Sequence, residues 1–234
     1  MPELFQQGTL EMSTTPLESA AQSVLWGDVT VNRVAVIAVL VLLVVEIYDI
    51  IHLVQPLLRC VPFWKANVEL EHSVSMARTR NTVSFVCGLA FCVVASRFSL
   101  LSPSWMAAIP AQWHLAVTTG LLFGFVLLRS FLYLLTPLRS SSSEFSSSVR
   151  HAFYNYTIIF VLLALLSTLV LVAARVPQGI VRVILTVEAA ILYLLDIRRT
   201  AQILSSRYGV FPTILYLCAL ELLPAGILIL TCTQ

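Results

Sequence analysis

Residues 152–174 read AFYNYTIIFVLLALLSTLVLVAA, a run of 23 positions without one Asp, Glu, Lys or Arg. In a helix, about 20 apolar residues cross the roughly 30 Å hydrocarbon layer of a lipid bilayer. Open strands would leave their backbone polar groups unsatisfied in lipid, whereas a helix satisfies them internally. A Leu- and Val-rich run of this length, without alternation of polar and apolar positions, therefore predicts a membrane-spanning helix.

The composition of the whole chain agrees with this prediction. Of its 234 residues, 59% are hydrophobic and only 11% are charged, whereas soluble domains contain about 25% charged residues. This excludes a soluble enzyme with one ordinary core and any disordered chain. The five cysteines are odd in number and lack a CxxC spacing, so they are interpreted as small apolar core residues and not as disulfides or metal ligands.

Five further runs are long enough to be interpreted in the same way, which predicts an all-α polytopic membrane protein with a bundle of six transmembrane helices. The predicted helices cover residues 34–55, 82–101, 114–136, 152–174, 178–196 and 211–232. Only three residues separate the fourth from the fifth, so these two are expected to form a tight antiparallel hairpin. Together the six make up a transmembrane domain of residues 34–234.

Two segments outside the helices have distinctive compositions. The N-terminal tail, residues 1–33, is interpreted either as a short interfacial helix or as a poorly ordered terminus. Residues 1–30 contain no Lys or Arg and no apolar core, so no signal peptide is predicted and the first helix is expected to be retained. Residues 140–148 read SSSSEFSSS, which predicts a flexible cytoplasmic linker between two halves of three helices each.

The cationic residues predict the orientation in the membrane. Arginines and lysines are concentrated in the connections 56–81, 137–151 and 197–210. Because cytoplasmic loops carry the excess of Lys and Arg, these three connections are placed inside and both termini outside. The reversed orientation is the alternative.

Seven ionisable residues lie within the predicted helices and need an explanation there. Each charge costs at least about 2.5–3.5 kcal/mol in the bilayer, so such residues usually face protein and have a function. We expect them to converge on one polar core that opens toward the cytoplasm. The seven are Glu46, Asp49, His52, Arg129, Glu188, Asp196 and Glu221.

Three interpretations of this polar core remain open. In the structural one, Arg129 pairs with a glutamate and the other residues hydrogen-bond between helices. In the second, a solvated pocket binds a substrate, a proton or a cation, because five carboxylates cannot all be buried in ionised form beside one arginine. In the third, Asp49 and His52, at i and i+3, belong to a metal site. No HExxH accompanies them, and one half-motif of this kind is a weak metal signal.

Arginines in the predicted cytoplasmic loops form a second set of candidates. Arg78 and Arg80 precede the predicted start of the second helix, where Asn81 or Thr82 is expected to cap it. Free backbone N–H groups at a helix N-terminus favour anions, which predicts a phosphate or lipid-headgroup site. Arg198 and Arg199 are expected to add a second wall. In the alternative, these cations only set the orientation and contact anionic headgroups.

Four sequence blocks resemble those of a bacterial inner-membrane family known only as a domain of unknown function. The blocks are RCVP with WK at 59–65, LEHSVS at 70–75, AR with RNT at 77–82, and ILYLCALELLP at 214–224. The resemblance covers most of the chain from about residue 30. It implies a multi-pass protein of the cytoplasmic membrane of Gram-negative bacteria and supplies no catalytic residue. It draws attention to His72, Arg78, Arg80 and Glu221.

The leading functional hypothesis is a membrane protein that binds or transports a small or lipid-linked anionic ligand. Arg129, Arg78 and Arg80 would hold the anion, while Glu46, Asp49 and Glu221 would adjust the charge or carry a proton. The second hypothesis is a non-catalytic subunit that docks a membrane or cytoplasmic protein through the loops 56–81 and 197–210. The third is a membrane-embedded, metal-dependent enzyme. The expected partners are the bilayer and anionic lipid headgroups; no nucleic acid and no cofactor are predicted.

Overall fold

A computed structural model of the chain describes residues 26–60, 74–135, 143–205 and 209–233. Every extended regular element within these ranges is helical, which confirms the all-α class. A π-helical turn, Cys218–Leu222, separates the last two α-helices. The α-helices are α1 (Thr30–Val45), α2 (Ile47–Cys60), α3 (Val74–Arg97), α4 (His114–Leu135), α5 (Ser143–Ala173), α6 (Gln178–Ser205), α7 (Val210–Leu217) and α8 (Leu223–Thr233).

Helix α3 lies at the centre of the bundle. It packs against α1, α2, α4 and α5, and 56% of its apolar span is buried inside the protein. The other three long apolar spans are only 17%, 28% and 22% buried. Helix α3 therefore supplies the interior of the fold, and most of the apolar surface of the other helices faces outward.

Four helical segments are long and apolar enough to cross a membrane: Ser75–Arg97, Ala111–Leu135, Phe153–Ala173 and Val210–Cys232. The pair α1 and α2 becomes a fifth if its two members form one broken span. The outward faces carry large apolar side chains that water would not tolerate in such numbers, among them Leu134 at 77% and Phe211 at 79% exposed. The fold is therefore one whose outer surface suits lipid.

The buried core is made where α3 meets α5. One group of apolar side chains joins Leu53 and Leu57 of α2 to Val83 of α3 and Ile158 of α5. A second group lies toward the far end of α3, where Phe98 packs near Leu185 of α6. Both groups use α5, so the α5–α6 hairpin is attached to the central helix along its length.

The first predicted helix, residues 34–55, is two helices in the structure. Helices α1 and α2 meet at Glu46 with a bend of 68°, and Glu46 has φ −87° and ψ 2°, outside the helical region. No glycine or proline lies at the bend; Pro56 lies inside α2, ten residues further on. The unbroken run of apolar residues hides the bend, because hydropathy does not report backbone direction.

Several other predicted boundaries are wrong by about two helical turns. Helix α3 begins at Val74 and not at residue 82, so Asn81 and Thr82 lie inside it and cap nothing. Helix α5 begins at Ser143, within the segment 140–148 that was predicted to be a flexible linker. Serine costs only about half a kcal/mol relative to alanine in a helix, so a helix already held by its apolar half continues through such residues.

The end of the bundle near Trp26 is closed by polar contacts that the sequence did not predict. A 3₁₀ turn, Trp26–Asp28, precedes α1. The indole Nε1 of Trp26 donates to Oγ of Ser96 at 3.0 Å, and Nδ2 of the fully buried Asn32 donates to the carbonyl of Trp26 at 2.8 Å. The predicted interfacial helix of the tail, residues 15–27, lies outside the described residues except for Trp26 and Gly27, which belong to this 3₁₀ turn.

Candidate functional site

A buried ion pair joins α4 to the π-helical turn near the C-terminus. Nε of Arg129 donates to Oε2 of Glu221 at 3.0 Å, and Nη2 of Arg129 bonds Oε1 of the same carboxylate. Only 4% of the Arg129 residue and 1% of Glu221 are exposed. A guanidinium that meets a carboxylate with two parallel hydrogen bonds has its strongest pairing geometry.

Two tyrosines add hydrogen bonds to Glu221. The hydroxyl of Tyr133 donates to Oε1 of Glu221 at 2.8 Å, and the hydroxyl of Tyr193 donates to the backbone carbonyl of Glu221 at 2.7 Å. Tyr133 is on α4 and Tyr193 on α6, so three separate elements converge on one residue. These bonds satisfy polar groups that would otherwise be costly to bury.

Aromatic rings cover the guanidinium of Arg129. The Cζ atom of Arg129 lies 4.2 Å from the ring centre of Phe153 on α5 and 4.9 Å from that of Tyr133. A cation near aromatic ring faces is attracted electrostatically, and the rings also exclude water. Arg129 is therefore held by a carboxylate at its edge and by rings on its faces.

Asp196 on α6 is the third charged member of this cluster. It is 1% exposed, and it is near enough to Arg129 and Glu221 to interact with both electrostatically. Neither of its carboxylate oxygens has a hydrogen-bond partner among the described residues, and the hydroxyl of Thr200, one helical turn further along α6, also lacks one. A buried carboxylate without partners is a departure from the usual satisfaction of buried polar groups.

We refer to Arg129, Asp196 and Glu221, with Tyr133 and Tyr193, as the Arg129 cluster. With all three charged members ionised, the cluster has one positive and two negative charges. Glu221 already neutralises Arg129, so the negative charge of Asp196 would be uncompensated and out of contact with water. The arrangement can accept one positive charge, either a proton on Asp196 or a bound cation.

The π-helical turn places Glu221 in the cluster. A π turn inserts one extra residue into an α-helix and is found mostly as a single turn, frequently at functional sites. Pro224, two residues after the turn, lacks the N–H group that a regular helix would use, which favours an irregular turn before it. The extra residue shifts the register of the helix, and the Glu221 carbonyl is satisfied by the hydroxyl of Tyr193.

The other predicted core residues lie elsewhere. Glu188 accepts a hydrogen bond from Oγ of Ser167 at 2.5 Å, within the α5–α6 hairpin. Glu46 lies at the bend between α1 and α2. Each has one buried carboxylate oxygen without a hydrogen-bond partner in the described part of the chain. The expectation of a single polar core is therefore wrong: only three of its seven members are brought together.

Asp49 and His52 lie in a shallow groove of about 210 Å³ between α2 and the start of α3, next to Ser75 and Thr79. His52 is exposed, and its ring packs edge-on against Tyr48 with ring centres 4.3 Å apart. Among the residues that the structure describes, no group of three His, Cys, Asp or Glu side chains could hold a metal ion. The described residues therefore do not complete the half-site that Asp49 and His52 suggested.

The predicted anion site at the start of the second helix does not form in the predicted way. Arg80 is 1% exposed and donates from Nε and Nη2 to Oδ1 of Asn81 at 3.2 and 3.0 Å. Arg78 and Arg198 are exposed, and Nη1 of Arg199 donates to Oε1 of Gln202 at 2.6 Å. Arg78 and Arg80 lie within α3 and not before it; His72 lies outside the described residues.

Tyr133 and Tyr193 were missed by the sequence analysis. The sequence spacing indicates both of them: Tyr133 is four residues after Arg129, and Tyr193 is three residues before Asp196. Residues three and four apart lie on the same face of a helix. A search for hydroxyl groups on the faces that carry intramembrane charges would have found both.

The fold and the Arg129 cluster define an all-helical protein with four or five helices able to cross a membrane and a buried charged cluster between them. The chain belongs to the family described as a domain of unknown function (DUF4271), whose model matches residues 67–231. The match covers more than two thirds of the chain, includes the whole Arg129 cluster and excludes Glu46, Asp49 and His52. No curated protein and no solved structure matches the chain.

Proposed function

We propose that this chain is a multi-pass membrane protein in which Asp196 binds and releases a proton beside the Arg129–Glu221 ion pair, as part of proton-coupled transport. The observation that carries this proposal is the buried Asp196 carboxylate, both of whose oxygens lack a hydrogen-bond partner among the described residues. A proton removes its charge without requiring any other group to move. Intramembrane carboxylates that face protein are typical of proton pathways in pumps and transporters.

The contacts of Arg129 favour a proton over the anionic ligand predicted from the sequence. Two hydrogen bonds to Glu221 occupy the Nε–Nη2 edge of the guanidinium, and rings cover its faces. An anion at that edge would have to displace Glu221, which would then be buried without its partner. Binding of a small or lipid-linked anion at Arg129 stays a prediction.

The proposed topology has six spans, with both termini outside the cytoplasmic membrane of a bacterium. Helix α6 is too polar to be recognised as a span by composition, yet it packs along α5, which is one of the apolar spans. Two of its charged residues face protein: Glu188 bonds Ser167, and Asp196 lies in the Arg129 cluster. At 1.5 Å per residue, its 28 residues extend over about 42 Å, more than the hydrocarbon layer requires.

Infrared difference spectroscopy between acidic and alkaline buffers tests the proton site directly. The C=O stretching band of a protonated carboxyl group should disappear from the reconstituted protein as Asp196 loses its proton. The band should be absent in Asp196→Asn. The matched control is Glu188→Gln, which removes the other carboxylate of α6, a half-buried one, and it should keep the band.

Proton flux into vesicles provides the functional readout. With a pH-sensitive dye inside proteoliposomes, Asp196→Asn should abolish protein-dependent acidification under an imposed pH gradient, and Glu188→Gln should retain it. A titrating carboxyl band that persists in Asp196→Asn would overturn the assignment of the proton to Asp196. If Asp196→Asn loses the carboxyl band but leaves the proton flux unchanged, the proposed coupling of Asp196 to transport would be overturned.

The two rival hypotheses remain predictions with sharper tests. A surface that docks another protein should depend on exposed arginines, so Arg78→Ala and Arg198→Ala test this hypothesis. Arg80→Ala does not test it cleanly, because it would also remove a buried contact with Asn81. Loss of a co-purifying protein in those variants would favour docking. The enzyme hypothesis requires bound metal that falls in Asp49→Ala and His52→Ala, as measured by elemental analysis.

A further inference from the structure

A cavity lies at the C-terminal end of α3, where α5 also ends and α6 begins. It has a volume of about 430 Å³, within the range of ligand sites in proteins. Apolar side chains of α1, α3, α5 and α6 form most of its wall, including Val36, Val94, Val172 and Val181. We refer to it as the Trp26 cavity, because Trp26 covers one side of it.

Two arginines line this cavity and have no acidic partner. Arg97 ends α3, and Arg175 lies in the turn between α5 and α6. The guanidinium group of neither arginine forms an ion pair or donates a hydrogen bond to any part of the chain that the structure describes. Arg97 only stacks on Trp26, with Cζ 5.5 Å from the ring centre, and the cavity lining contains no Asp or Glu.

Arg175 adopts a backbone conformation that favours glycine. Its φ is 54°, and it ends α5 in a Schellman motif, in which Val176 donates to the carbonyl of Leu171 and Arg175 to that of Val172, both at 3.0 Å. Glycine is the usual residue at this position because a Cβ atom is disfavoured there. The protein with arginine at this position is therefore less stable than one with glycine would be, so Arg175→Gly removes the guanidinium group without straining the fold.

The surroundings place the cavity at the level of lipid headgroups. Trp105 and Trp113, which lie in the connection between α3 and α4, are at the same end of the bundle and are exposed. Tryptophans are enriched at the boundary between membrane and water. In a bilayer with these tryptophans at its boundary, the two guanidinium groups would lie near the phosphates, and the apolar wall would continue toward the acyl chains.

We propose that the Trp26 cavity is a binding site for an anionic phospholipid. Arg97 and Arg175 bind the phosphate with charge-assisted hydrogen bonds, and an acyl chain lies on the valines of the wall. A zwitterionic lipid is disfavoured because the lining has no carboxylate to pair with its cationic headgroup. A free phosphate ion would leave the apolar wall uncovered. This site is separate from the Arg129 cluster, and its test does not depend on proton binding there.

Native mass spectrometry of the full chain, titrated with lipids in detergent, measures the binding. Phosphatidylglycerol should be retained in preference to phosphatidylcholine, and Arg97→Gln should weaken its retention by about tenfold or more, as expected for loss of a charge-assisted bond. Arg182→Gln is the matched control. It removes a cation at the same end of the bundle, where Nη2 of Arg182 donates to Oγ of Ser102 at 2.9 Å, and it should keep the lipid.

Arg175→Gly separates a binding role from a structural one. Glycine relieves the backbone strain, so this variant should melt at the same temperature as the unchanged protein or higher, yet lose phosphatidylglycerol as Arg97→Gln does. Equal retention of the two lipids, or unchanged retention in Arg175→Gly, would overturn the proposal. Competition by inorganic phosphate at equal concentration would overturn the lipid as the ligand and indicate a free anion.

Discussion

Arg129 and Glu221 are 92 positions apart in sequence and form a bidentate, buried ion pair. The pair connects α4 to the last helical segment, and Tyr193 of α6 bonds the same residue. Phe153 brings α5 to the guanidinium. Elements from α4, the α5–α6 hairpin and the C-terminal segment are therefore held at one point by contacts with this ion pair.

Removing one member of the ion pair should destabilise the fold strongly. We expect Glu221→Ala to lower the free energy of unfolding by about 3 kcal/mol, because Arg129 and Tyr133 would lose their hydrogen bonds to a buried carboxylate and Asp196 would be left as the nearest negative charge. Equilibrium unfolding in mixed micelles measures the change. Replacing both partners, with Arg129→Met and Glu221→Leu in one chain, should cost less than either single change. A loss no larger than about 0.5 kcal/mol for Glu221→Ala would contradict the buried pair.

The hydroxyl group of Tyr133 should contribute to the stability of the fold. Tyr133→Phe keeps the ring near Arg129 but removes the hydrogen bond to the buried Glu221 carboxylate, and we expect a loss of about 1–3 kcal/mol. Tyr48→Phe is the control: Tyr48 is 69% exposed and should change stability by less than about 0.5 kcal/mol. Equal effects of the two substitutions would show that the Tyr133 hydroxyl contributes nothing specific.

Ser99→Gly should stabilise the protein. Ser99 has φ 50° and ends α3 in the same motif that Arg175 forms at the end of α5. The left-handed conformation costs a residue with a Cβ about 1–2 kcal/mol, and glycine recovers part of this after its own loss of backbone entropy. We expect a gain of about 0.5–1 kcal/mol in equilibrium unfolding. Ser99→Ala keeps a Cβ and should show no gain; a gain of the same size would contradict the explanation.

The number of spans decides whether the two termini lie on one side of the membrane. Six spans, with α1 and α2 as one broken span and α6 included, place a reporter fused to residue 1 and one fused to residue 234 on the same side. The two reporters should therefore be active under the same conditions in intact cells. If α1 and α2 re-enter without crossing, five spans remain and the reporters fall on opposite sides.

Much of the Arg129 cluster was within reach of sequence reasoning. Arg129 is the only cation near the middle of a predicted helix that is otherwise apolar, so a pairing with some glutamate could be predicted. Glu46, Glu188 and Glu221 were all at suitable depth. Which of them pairs with Arg129 depends on the order of helices around the bundle, and hydropathy along the chain does not encode that order.

The helical class and the location of the apolar segments follow from composition and run length, because lipid requires every backbone polar group to be satisfied within a segment. The bend at Glu46, the π-helical turn at Cys218–Leu222 and the separation of Glu188 from Asp196 into different surroundings arise only in the folded chain. Each depends on contacts between residues far apart in sequence. Local pattern reports how much apolar surface a helix has, whereas the position of a charge among its neighbours is decided by how the helices pack.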